Sequence, residues 1–268
     1  MKIGLALSGG AARGIAHIGV LKYLEEGKVK PAVLAGTSAG SIVASLYCAG
    51  KTVGEIEQIA RKITWKDLFK LSLPKKGLIN SDRLLDMLEE HLGNITFQDL
   101  KIPLIINAVD LLAGEEIIID EGPVAVAVQA SCAIPGIFTP VKWKDKLLVD
   151  GGLLDNVPAA VLEERKLDYI IAVDVGAQIP LSGEPDSIFE ILMQAFDVIQ
   201  RQRDKPAHEI ADVVIEPELG DITMWDTGRV DLIIERGYEA ARKMLNNADL
   251  TRKRSGIARW FRKRKNRR

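Results

Sequence analysis

A chain of 268 residues that is 47% hydrophobic and 27% charged can bury a full core, which excludes extended disorder before the last twenty residues and reads as one domain over residues 1–250. Its two cysteines, Cys48 and Cys132, each lie in an apolar stretch, which excludes a disulfide framework and reads as buried free thiols in a reducing compartment. The net charge of -1 hides an asymmetry: residues 252–268 hold ten Lys or Arg and no acid, leaving 26 basic and 37 acidic residues elsewhere, a body of -11.

The first apolar run, residues 3–7, is strand-like and enters S-G-G-A-A-R-G at residues 8–14; Ile15, Ile18, Leu21 and Leu24 then share a helical face. A glycine-rich turn between strand and helix points backbone N–H groups at a common anion. Gly9, Ala11 and Gly14 also spell G-x-A-x-x-G, but a dinucleotide fingerprint wants glycine in the middle and an acid ending the next strand. That strand, residues 29–35, ends instead in Gly36-Thr37-Ser38-Ala39-Gly40 before a helix-like run, residues 42–49. G-x-S-x-G in this context is a nucleophile elbow: small residues flank the turn, and the Ser38 hydroxyl is lifted onto a helix N-terminus.

Residues 64–80, with Trp65, Leu68, Phe69, Leu71 and Leu73, fit no core strand and read as a surface excursion, either bordering an apolar site or packing as an ordinary helix. Residues 84–92 are helical. Residues 104–119, with Ala113-Gly114 near the middle, are strand-like and could form a hairpin that would make the sheet mixed. Residues 147–149 form a strand that stops at Asp150-Gly151-Gly152, and residues 169–175 and 213–215 are further strands. Between them lie a proline-bearing excursion, residues 179–186, and a helical stripe of Ile188, Ile191, Leu192, Ala195 and Ile199. Alternating strand and helix means an α/β fold with a mostly parallel sheet.

A nucleophilic serine needs a base, and none of the three histidines, His17, His91 and His208, falls at a strand end; each reads as a surface or packing residue. Asp150 does fall there. A carboxylate can serve when burial keeps it poorly solvated and close to the hydroxyl. Asp110 and Asp174 also lie near strand ends and are its rivals, and Asp150 could merely brace its own turn.

The G-G-A-A-R-G turn, G-T-S-A-G and D-G-G, in that order, resemble the three signatures of patatin-like phospholipases, in particular the small bacterial members. The resemblance covers about residues 2–246 and extends to A-S-C-A-I-P-G at residues 130–136 and D-N-V-P at residues 155–158. It implies a three-layer α/β/α sandwich related to the α/β-hydrolases and a Ser-Asp dyad without histidine. Ser38 would be the nucleophile and Asp150 its base; amides around Gly9, Gly10 and Ala11 would stabilise the oxyanion, with Arg13 holding that loop and Gly36 and Gly40 framing the elbow. Where many members carry a third glycine this chain has Ala11, which keeps the backbone donor. The implied substrates are lipid acyl esters, with no metal and no cofactor. A lipid-surface binding or regulatory protein with a slow or vestigial hydrolase site is the alternative.

The start has no signal-peptide h-region and no span approaches the roughly 20 apolar residues of a membrane helix, so the expected location is cytoplasmic. The tail, residues 251–268, places Ile257, Trp260 and Phe261 at helical spacing among basic residues, which suits peripheral contact with an anionic membrane. A disordered cationic tail that aids solubility is the competing reading. No specific nucleic-acid partner is expected.

Overall fold

The computed structural model describes residues 1–62, 82–177, 188–203, 205–223 and 225–246; residues 64–80, 179–186 and the basic tail fall outside these. The chain forms a sheet in which β1 (Ile3–Leu7), β2 (Val33–Gly36), β3 (Leu104–Asp110), β7 (Tyr169–Val173) and β8 (Val213–Ile215) run parallel in the order β3-β2-β1-β7-β8. Two strands run against β3: β4 (Glu115–Ile119) as a hairpin and β6 (Lys146–Asp150), itself paired antiparallel with β5 (Val141–Trp143). The sheet is therefore mixed, as the hairpin reading of residues 104–119 allowed.

Central strands are buried on both sides, so they read as unbroken apolar runs. Alternate residues feed two cores. Ile3, Leu5 and Leu7 of β1 join a large core with α1 (Ala16–Glu26), α2 (Ala39–Cys48), α3 (Val53–Lys62), α4 (Asp82–Leu92), α5 (Val124–Ser131) and α9 (Val230–Asn246). Ala6 faces the other way, toward α6 (Ala160–Glu163) and α8 (Lys205–Ile210). Helices on both faces of one sheet make a three-layer α/β/α sandwich.

Some boundaries differ from the sequence reading. The second strand starts at Val33 rather than Val29, because Lys28 turns in a left-handed conformation (φ 54°) and Pro31 carries no N–H for a ladder. In α7 (Ile188–Arg203), three residues of the apolar stripe, Ile191, Leu192 and Ile199, are exposed, while Gln200 docks on Asn156.

The register around β3 positions the site. Ile106 pairs with both Gly36 of β2 and Ile119 of β4, and Ala108 pairs with both Asp150 of β6 and Ile117 of β4. Each residue has only two edges, so β2 and β6 occupy the same edge of β3, one after the other. Since β6 is antiparallel to β2, the two strands point their C-terminal ends at each other. Ser38 leaves one end and Asp150 completes the other.

Candidate active site

The elbow is built by close approach. A side chain at Gly36 would come within 2.8 Å of the Ser41 backbone, and one at Gly40 would strike the carbonyls of Leu7 and Ser8. With both flanks bare, β2 turns abruptly into α2 and leaves Ser38 at φ 49°, ψ −123°, a strained conformation for a residue with a Cβ. Ser38 is only 6% exposed, and its side chain lies close enough to the Asp150 carboxyl to pull that group's pKa down.

Asp150 is 1% exposed. Burial pushes its pKa up to about 7, against the opposing pull of the nearby Ser38 side chain and of the Gly152 N–H, which donates to Oδ1 at 2.8 Å. The carboxyl is thus tuned to titrate near neutrality. Cys132 closes the rear of the pair: its sulfur lies 4.0 Å from Ser41 Oγ, and burial raises its thiol pKa, with the nearby Asp150 charge adding to the effect. Both cysteines are buried and free.

The rivals have other partners. Asp110 accepts from the Leu112 N–H and pairs with Lys146 at 3.4 Å, bracing the β3–β4 hairpin. Asp174 accepts from the Gly176 N–H and sits 2.8 Å from His208 Nε2. His17 is fully buried, and its Nε2–H donates to the Ser8 carbonyl at 2.8 Å. Desolvation lowers its pKa to about 4, so it is a neutral packing residue near the loop. His208 joins Asp174 and Glu216, and His91 ends α4.

The first glycine turn lies against the elbow. A side chain at Gly9 would strike the Asn156 side chain and approach Ser38 Cβ within 3.2 Å, while one at Gly10 would strike Val175. The Gly9 N–H donates to the Asn156 carbonyl at 3.1 Å, so Gly10 and Ala11 are left as the candidate anion donors at the start of the 3-10 turn Ala11–Ile15. Ala11 is at φ 51°, the conformation that favours glycine. The Arg13 Nε–H donates to the Ile222 carbonyl at 2.8 Å, tethering the loop.

Two stretches without an assigned role in the sequence prove to connect these parts. In D-N-V-P, the Asp155 carbonyl accepts from Thr37 Oγ1 at 3.2 Å and Asn107 Nδ2 at 2.7 Å, while Asn156 receives Gly9. In A-S-C-A-I-P-G, the Ser131 hydroxyl accepts the Ser38 N–H at 2.8 Å and the Ala133 carbonyl accepts the Asp150 N–H at 3.0 Å. Beside the elbow, an apolar groove of about 650 Å³, its solvent-open part included, runs from Ala11 and Ala39 between Ile42 and Leu46 of α2 and Ile59 of α3. Among the described residues no group of His, Cys, Asp and Glu could hold a metal ion, and no helix is long and apolar enough to cross a membrane.

A serine on a strained strand-to-helix elbow beside a buried aspartate, in an α/β/α sandwich, is an arrangement found in hydrolase-like proteins. Among them, this chain belongs to the patatin-like phospholipase family, whose model matches residues 5–163. It is similar to an uncharacterized NTE family protein of Mycobacterium tuberculosis, 30% identical over 93% of this chain and 48% of the relative. It is also similar to a lysophospholipase of Candida albicans, 31% identical over 65% of this chain and 13% of the relative. Among solved structures it resembles VipD from Legionella pneumophila, with a TM-score of 0.64 at 14% identity, over 94% of this chain and 67% of that one. The chain spans about half the length of the mycobacterial relatives it matches.

Proposed function

We propose that this chain is a serine acyl hydrolase acting on lipid acyl esters, with Ser38 as nucleophile and Asp150 as base. The observation that carries the reading is the meeting of β2 and β6 on one edge of β3, which brings the Ser38 elbow up to a carboxyl buried enough to titrate near pH 7. A general base works best when its pKa lies near the working pH. Ser38 Oγ attacks the ester carbonyl as its proton passes to Asp150, and the oxyanion forms opposite the Gly10 and Ala11 amides and that of Ala39 at the start of α2. Asp150 gives the proton to the departing alcohol, then takes one from the water that releases the fatty acid from Ser38.

Lipid substrates are supported by family membership, by the Candida relative named as a lysophospholipase, and by the apolar groove beginning beside Ser38. The test is fluorophosphonate labelling with peptide mapping, together with turnover of a short soluble ester. Labelling is expected on Ser38 alone, and Ser38→Ala and Asp150→Asn should each lower kcat at least about a thousandfold while the protein stays folded. Near-normal turnover in Asp150→Asn would move the base elsewhere, and an unlabelled, inactive wild-type chain would favour a lipid-binding role.

A further inference from the structure

We infer that Ser131 is a positioning residue for the nucleophile, an inference that rests on the function proposed above. Ser38 precedes the first turn of α2, so its N–H has no place in the helix ladder. It points instead across the site to Ser131 Oγ, at 2.8 Å, with Ser131 fully buried. Two residues further on, the Ala133 carbonyl accepts the N–H of Asp150 at 3.0 Å. One short segment, the end of α5 and the two residues after it, is thereby bonded to the backbones of both reacting residues.

The two strands that deliver Ser38 and Asp150 meet end to end on one edge of β3 and are not paired with each other across the gap. Their spacing is set by their common pairing with β3, at Ile106 and Ala108, and by whatever else spans the gap. Ser131 and Ala133 span it. The need is greatest at Ser38, whose φ of 49° is held by its surroundings and not by its own preference. Without the Ser131 acceptor, the Ser38 N–H is buried and unpaired, and the elbow relaxes in the direction that turns Oγ from the carboxyl. Ser131 does not touch the reacting atoms; it acts through Ser38.

The test uses the full chain and a short soluble ester. Ser131→Ala should lower kcat about 10- to 100-fold with KM within twofold, and should slow fluorophosphonate labelling of Ser38 in proportion. The rising limb of the kcat–pH profile should move to higher pH, because the Ser38 side chain is one of the groups holding the Asp150 pKa down. Ser131→Thr, which keeps the hydroxyl, should recover most of kcat and return the limb to its wild-type position. A general loosening of the fold would lower the melting temperature without moving that limb. Unchanged kcat and limb position in Ser131→Ala overturn the inference, as does Ser131→Thr behaving like Ser131→Ala when both are folded. If Ser131→Ala does not fold, Ser131→Thr and Ser131→Cys decide: the limb should shift upward in the weakly accepting thiol variant only, and identical profiles overturn the inference. Because wild type and Ser38→Ala run alongside, failure of the hydrolase reading shows as inactivity of wild type, not as indifference to Ser131.

Discussion

The chemistry of Asp150 follows from where its carboxyl is kept. Burial raises its pKa from an ordinary carboxylate value to about 7, so kcat should climb with pH through a limb centred near 7, where the base becomes ionised. A limb near 4 in a pH–rate profile would contradict this. The same shift has a stability consequence with a definite sign. Between the unfolded value of 3.8 and the folded value near 7, the unfolded chain loses this proton before the folded one does, so wild-type stability falls as pH rises through that window. Asp150→Asn, which never ionises, should gain in melting temperature over wild type from about pH 4 to pH 7 and gain no more above it. A difference independent of pH would mean the carboxyl is solvated. Ser38 offers a complementary measurement. Its left-handed φ costs roughly 1–3 kcal/mol that glycine does not incur, so Ser38→Gly should be more stable than Ser38→Ala by about 1 kcal/mol in denaturant unfolding, both being inactive. Equal stabilities would show that the elbow is unstrained. That Ser38 sits on a strand-to-helix turn and Asp150 at a strand end was legible in the sequence, because glycines bracket one and follow the other. The contacts of Ser131 and Asn156 were not, because a buried serine or asparagine looks the same in sequence whether it binds a distant backbone group or a local one.

Among the elements, strands 3–7 and 213–215 and the long amphipathic helices were readable by period, and the sheet's mixed character was visible in the Ala113-Gly114 turn. The helix α5 was not. Its sequence V-A-V-A-V-Q-A-S has no polar face, because the helix is surrounded by the large core, and its alternation imitates a strand. That camouflage hid the element carrying Ser131. The role of α2 is double: its N-terminus holds Ser38, and its Ile42 and Leu46 line the groove that starts at Ala39 and Ala11. If the groove takes the acyl chain, Ile42→Phe should shorten it. Turnover of a sixteen-carbon ester is expected to fall about tenfold while that of a four-carbon ester stays within a few-fold, since a misfit in an apolar pocket is worth about 1–3 kcal/mol. Equal losses for both chain lengths would remove the groove from the substrate path. The apolar run around Trp65 and Phe69, also read as a border of the site, lies outside the described residues.

The whole molecule adds a question of address. The body carries a charge of -11 and would be repelled by an anionic lipid surface, yet residues 252–268 bring ten cationic side chains. Within them Ile257, Trp260 and Phe261 recur at i, i+3 and i+4 with Arg254, Arg259, Arg262 and Lys263 around them, the pattern of a helix lying in a membrane interface. Each basic residue near such a surface contributes about 1 kcal/mol, so half of the ten would exceed the ordering cost of a short helix. We propose that the tail delivers an acidic catalytic body to its lipid. Deleting residues 252–268 should then reduce binding to anionic vesicles and turnover of lipid within them, by at least tenfold at low salt, and leave turnover of a soluble short ester unchanged. Raising the salt should weaken full-length binding toward that of the truncated chain, because the attraction is screened within about 10 Å at 0.1 M. Vesicle binding that is the same with and without the tail would sink the anchor, and would leave the reading of Ser38 and Asp150 untouched, because neither depends on how the enzyme reaches its substrate.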